Sequence, residues 1–139
     1  DPAGFTSEGD AYEFRRRRVV ELKHGRVSML ACMGYITPEY FKFPGYLSPK
    51  MGLKFEDIPN GLAALTKVPG VGWGQIAAMI GTYELIIYKN TTGEPGNYGA
   101  GNLGLGILGP VKDPAVRQRK LNAEIAKGRL AMMALIGMF

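Results

Sequence analysis

Two short stretches place charged and metal-ligating side chains at the mouths of apolar runs. ELKHGRVSMLACMG, from Glu21 to Gly34, carries a glutamate, the only histidine of the chain and an arginine. EIAKGRLAMMALIG, from Glu124 to Gly137, repeats the glutamate, a glycine and the arginine. Carboxylates and neutral imidazoles donate lone pairs to metal ions, and a guanidinium neutralises a carboxylate through a planar fork of donors. Offsetting the chain by 103 residues aligns Glu21 with Glu124, Gly25 with Gly128, Arg26 with Arg129, Met29 with Met132, Ala31 with Ala134 and Gly34 with Gly137. Six identities in fourteen positions mark an internal repeat and predict two helices related by a pseudo-twofold axis.

Within one helix, Glu21 and Arg26 stand about 140° apart and do not readily pair. If the two repeated helices cross, Glu21 meets Arg129 while Glu124 meets Arg26. A charge at the centre of a membrane helix costs about 2.5–3.5 kcal/mol on insertion scales, so reciprocal neutralisation explains the spacing. Gly25 with Ser28, and Gly128 with Ala131, are small enough for the two backbones to approach closely. A helix-pairing device alone would account for these charges. His24 lies within about 60° of Glu21 on the same face, where a lone histidine is more often an interfacial or core residue than a ligand.

These residues need elements to hold them. The 139 residues suffice for one domain. The apolar pattern predicts helices over roughly 12–36, 72–89 and 114–139, the first stopping before Pro38 and the third opening on Pro114 at a first-turn position. Between them, Thr37 to Gly72 holds five prolines and reads as a long ordered loop with a short helical turn around Asn60 to Leu65. Residues 91–111 form a Gly-, Pro- and Asn-rich loop. The middle segment is uncharged apart from Glu84 until Lys89, and Trp73 and Tyr88 sit where interfacial anchors belong. No segment offers 18 uninterrupted apolar residues, yet each outer helix is charged for its first turns and then apolar, like a helix that starts at a headgroup surface and dives. Basic residues favour one side, with Arg15 to Arg18, Lys89, Lys112, Arg117, Arg119 and Lys120 opposed to Lys42, Lys50, Lys54 and Lys67. Three spans with the N-terminus on the more basic side follow.

The net charge of +5 and pI of about 9.4 suit an anionic partner without choosing between lipid and nucleic acid. The run Arg15 to Arg18 with Tyr12 and Phe14 leads straight into an apolar helix and carries no nucleic-acid reading motif, which argues against nucleic acid. One cysteine, Cys32, excludes an internal disulfide, and no zinc spacing is present. Glu21 with His24 lacks a nucleophile and an oxyanion donor, which argues against a hydrolase. The opening DPAGFTSEGD reads as a mature chain after processing. The closing IGMF breaks off inside an apolar run, so the third helix is expected to be truncated there.

ELKHGRVSML with EIAKGRLAMM, separated by a middle helix carrying Gln75 and Glu84, closely resembles the chlorophyll-binding light-harvesting family of thylakoid membranes, over nearly the whole chain. ELKHGR and the loop motif FEDIPNGLAAL look like the chlorophyll a/c branch. Its peridinin-type dinoflagellate antennae are most similar in the arm and loop, with the fucoxanthin proteins of diatoms next. The resemblance implies an all-α membrane protein with three transmembrane helices, the first and third crossed as a pseudo-twofold pair. It implies chlorophyll a, chlorophyll c and a carotenoid (peridinin or fucoxanthin, with a diadinoxanthin-type xanthophyll). Chlorophyll magnesium accepts one axial oxygen or nitrogen donor. Position by position, Glu21, His24 and Glu124 would be axial ligands, as would Gln75 and Glu84, with Arg26 and Arg129 as structural ion pairs. Lys127 departs from the family's usual Asn or His, and its ammonium has no lone pair to give. Met29 and Met132 would line carotenoid grooves. The implied function is a non-enzymatic antenna in the plastid thylakoid membrane, multi-pass with a stromal N-terminus. Its partners would be thylakoid lipids, other antenna subunits and a photosystem I or II core. A photoprotective, energy-quenching member would use the same residues.

Overall fold

The computed structural model describes residue 4 and residues 11–87, 94–97 and 113–138. The rest of the N-terminal arm, Tyr88, Lys89, most of the Gly-rich loop, Lys112 and Phe139 lie outside the described residues. What is described is mostly helical. Helix α1 runs Ala11–Tyr40, α2 is a single turn at Ala64–Lys67, α3 runs Gly70–Thr82, and α4 runs Pro114–Met138.

Helix α4 opens as its sequence demands. Asp113 accepts the Ala115 N–H on its side chain at 2.9 Å and the Arg117 N–H on its carbonyl at 3.0 Å, and Pro114 fills the first position, where no N–H is needed. Helix α1 corrects the expectation of a stop before Pro38: it continues to Tyr40, and the Phe41 N–H still reaches the Thr37 carbonyl at 2.9 Å. Proline removes only its own donor, and so close to the C-terminus the residues after it keep their bonds. Helix α3 starts at Gly70 on a Pro69 cap rather than at Gly72, and after Thr82 it widens into a π-turn over Tyr83–Ile87.

The segment read as a loop holds more order than its prolines suggested. Strands β1 (Tyr46–Ser48) and β2 (Leu53–Lys54) pair antiparallel, Tyr46 opposite Lys54. Phe43 meets both Phe41 and Phe55 edge to face, at 5.3 and 6.1 Å between centroids. Lys42 ties the segment together by donating to the Ile58 carbonyl at 2.7 Å. The expected turn at Asn60 to Leu65 is a 3-10 turn, Gly61–Ala63, running into α2.

The core lies where α1 crosses α4. Leu22, Gly25 and Ser28 of α1 and Gly128 and Ala131 of α4 are buried there. The two glycines meet backbone to backbone: a methyl group built on Gly25 would sit 3.0 Å from the Gly128 Cα, and the reverse holds. Further along, the Cys32 thiol lies 3.6 Å from the Ala131 carbonyl, and the Tyr35 hydroxyl donates to the Met138 carbonyl at 3.1 Å. Gly25 to Gly128 and Tyr35 to Met138 both span 103 residues, the offset of the internal repeat. Contacts that advance together along both helices make α1 and α4 parallel.

Two parallel helices oblige the chain between them to travel back. Helix α3 is placed to do so: Glu84, beyond its C-terminal end, pairs with Lys23 in the N-terminal half of α1. Among the described residues no helix is long and apolar enough to cross a membrane, so the expected three spans are not found by length and apolarity alone. The physical reason is the charge carried by α1 and α4, from Arg15 to Arg26 and from Arg117 to Arg129, and the shortness of α3, with 13 residues.

Candidate functional site

The charged residues of the two repeats converge around the Gly25–Gly128 contact. Arg129 donates from Nε to Glu21 Oε1 at 2.6 Å, and Arg26 donates from Nε to Glu124 Oε1 at 2.6 Å. Both pairs run between helices, five residues to either side of the 103-residue offset. Close glycine packing brings the backbones together, and the long arginine side chains then span the remaining gap.

The symmetry is incomplete in two ways that sequence reasoning missed. Glu21 receives a second guanidinium, Arg18, at 2.7 Å to Oε2, whereas Glu124 Oε2 has no recorded donor among the described residues. The i,i+3 spacing of Arg18 and Glu21 on one helix was the available signal. Second, residues 94–97 fold over one pair only. Gly96 sits at φ +75°, where a side chain is strained, and packs closely on α1: an added Cβ would stand 2.7 Å from Leu22 Cδ1 and 3.3 Å from Arg26 Nη2. The turn is held by Glu94, which accepts from Arg117 at 2.6 Å and from Asn97 at 3.0 Å. The Asn97 hydrogen bond, followed by the Arg117 guanidinium, holds the Glu94 carboxyl below its ordinary value. The Arg26 side chain is accordingly 22% exposed, and that of Arg129 is 61% exposed.

His24 lies on the outer surface of α1, with Nδ1 2.8 Å from the Val20 carbonyl. A carbonyl only accepts, so Nδ1 carries a proton, which in the neutral ring leaves the lone pair on Nε2, the tautomer that second-shell hydrogen bonding fixes in metal-binding histidines. An open groove of ≈ 570 Å³ runs past it, flanked by Arg16, Arg17, Glu21 and Met132. The structure brings Glu21 and His24 to one groove. Glu124 stands on the other helix of the crossing. Gln75 is exposed on α3. Glu84 is exposed on the π-turn, where its Oε2 accepts from Lys23 and Oε1 has no recorded donor among the described residues. Lys127, at the position symmetry-related to His24, is exposed.

Among the described residues, no three His, Cys, Asp or Glu side chains gather to chelate a metal ion. The candidate ligands stand singly rather than in chelating groups, and that donor set suits an ion already held by a macrocycle that needs one axial donor. A family profile described as "Chlorophyll A-B binding protein" matches residues 1–139. The chain belongs to this family.

Within the chlorophyll-binding family, the chain is 39% identical over 139 residues to fucoxanthin-chlorophyll a-c binding protein B of Macrocystis pyrifera, covering 99% of this chain and 64% of the relative. It is likewise 39% identical to fucoxanthin-chlorophyll a-c binding protein A of Phaeodactylum tricornutum, covering 99% of this chain and 70% of that one. The chain thus spans 64% of the length of the Macrocystis relative. Both relatives are named as chloroplastic.

Proposed function

We propose that this protein is a light-harvesting antenna, holding chlorophylls a and c and fucoxanthin-type carotenoid in a thylakoid membrane and passing excitation to a photosystem. The observation that carries this reading is the crossing itself. Glu21 and Glu124 are neutralised by arginines of the opposite helix at 2.6 Å, and His24 shares a groove with Glu21. A neutralised carboxylate keeps a lone pair without burying net charge, which is what an axial ligand in an apolar medium requires.

Chlorophyll, when bound, supplies the light absorption and the excited state. The chain's own residues do the rest without bond chemistry. Glu21, His24 and Glu124 hold magnesium near the crossing, Gln75 and Glu84 do so on the middle helix, and Arg26 and Arg129 neutralise and orient the carboxylates. Met29 and Met132 flank the crossing with soft, adaptable surface suited to carotenoid. Helices α1, α3 with its continuation, and α4 span the membrane, with the starts of α1 and α4 on the stromal side. Paired charges explain why plain hydropathy undercounts these spans: it charges each ion in full, although at least four of them leave water in pairs. The exposed faces support a lipid or pigment environment. Val27, Leu30 and Met33 on α1 map by the 103-residue offset onto Leu130, Met133 and Ile136 on α4, and all six are exposed large hydrophobics. The quenching alternative draws on the same residues, and no described feature favours it.

Refolding the chain in detergent with chlorophyll a, chlorophyll c and fucoxanthin tests the reading. A complex that survives a sucrose gradient, and whose chlorophyll a fluorescence is excited through fucoxanthin and chlorophyll c, is expected. Free pigment separating from colourless protein would refute it.

A further inference from the structure

The carboxylate on the middle helix is where the twofold logic ends. Glu21 and Glu124 neutralise each other's helices through the repeat, but α3 has no symmetry mate, and Glu84 has no arginine assigned by the repeat. The structure gives it Lys23 of α1. The 103-residue offset maps Lys23 onto Ala126, so the lysine is present on the helix that meets Glu84 and absent from its symmetry partner. Two residues from Gly25, it points about 160° away from the face that packs on α4. Its place on α1 serves something other than the crossing. The π-turn at Tyr83–Ile87 re-aims the backbone at this point, a distortion that recurs at functional positions in helices.

From this we propose that Lys23 is a positioning residue for ligation at Glu84: it is the interhelical countercharge that lets the Glu84 carboxylate serve as an axial ligand. The inference rests on the antenna reading and goes beyond it. A single rule then covers every candidate ligand. Each anionic one (Glu21, Glu84, Glu124) has a cation from a different helix, while the neutral ones (His24, Gln75) have no cation partner among the described residues. In the Glu84 pair, Oε2 takes the ammonium hydrogen bond and Oε1 keeps its lone pairs for metal. An amide at the same position would offer the same oxygen with no charge to neutralise.

The test uses the full chain refolded with chlorophyll a, chlorophyll c and fucoxanthin, with chlorophylls per polypeptide counted by chromatography and helix content followed by circular dichroism. Glu84→Leu is expected to lose one chlorophyll per chain, and Lys23→Met the same one, identified by the same missing band in the difference absorption spectrum. Lys23→Arg keeps it. The double variant Lys23→Met/Glu84→Gln is expected to regain it, because the neutral amide needs no countercharge. A purely structural tie between α1 and α3 predicts the opposite, since the double variant has no tie. Full pigment load in Lys23→Met, or a double variant as deficient as Lys23→Met, overturns the inference. So does an unchanged load in Glu84→Leu, while the antenna reading stands. A wild-type chain that takes up no chlorophyll overturns both.

Discussion

At the scale of single residues, the two carboxylates of the crossing are less alike than the repeat suggests. Read from spacing alone, removing Arg129 strands Glu21. The structure changes that expectation, because Arg18 remains on Glu21 at 2.7 Å. Among the described residues Glu124 accepts only from Arg26, at 2.6 Å. Arg26→Leu is therefore expected to cost about 1–3 kcal/mol, the range for leaving a partly buried carboxylate without its donor, and Arg129→Leu less than half of that. Comparing the temperatures at which the refolded complexes lose pigment circular dichroism measures the order, and equal loss would show Arg18 to be irrelevant. His24 makes a simpler prediction. Its ring is held by one bond to the Val20 carbonyl and packs into no core, so His24→Leu should remove one chlorophyll while leaving helix content unchanged. Pigment extraction from the purified variant decides it.

At the scale of elements, the helices were legible because apolar runs and the repeat both carry them. The register was legible because each glutamate–arginine pair satisfies it twice. What escaped was information spread over distant residues or supplied by short turns. The hairpin of β1 and β2 has five strand residues, too few for a period to show. The Lys23–Glu84 pair joins helices with no repeat between them, so nothing in the spacing announced it. The Gly96 turn betrays itself only through what it covers. Two predictions belong here. Gly25→Ala or Gly128→Ala forces a methyl group against backbone 3.0 Å away, and should cost about 1–3 kcal/mol as the helices part. Gly34→Ala, whose Cβ would meet nothing within 4 Å, should cost little, and thermal melts of the three variants check the contrast. The turn itself responds to acid. Because Glu94 is held below its ordinary value by Asn97 and then Arg117, its contribution is present above the unfolded-state pKa and fades as pH falls through the folded one. Acidifying through and below the carboxylate range should therefore release the turn in the wild type. Glu94→Gln should lack that step, as read by hydrogen exchange at residues 94–97.

For the whole molecule, parallel α1 and α4 leave one economical topology, in which α3 returns the chain. Cysteines placed at Arg17 and Arg119, on a Cys32→Ser background, should react with a membrane-impermeant maleimide from the same side of a vesicle. One placed at Lys50 should react from the other side. Labelling of Arg17 and Lys50 positions from one face would exclude the spanning arrangement.

The Gly25–Gly128 contact reaches beyond stability. Coupling between chromophores falls steeply with their separation, and Glu21 and Glu124 each stand one helical turn before the glycine of their own helix. On the antenna reading proposed above, pigments held by these two residues would be spaced by how nearly two backbones can touch. Two absent methyl groups would then act as a ruler for the rate at which absorbed light moves across the protein.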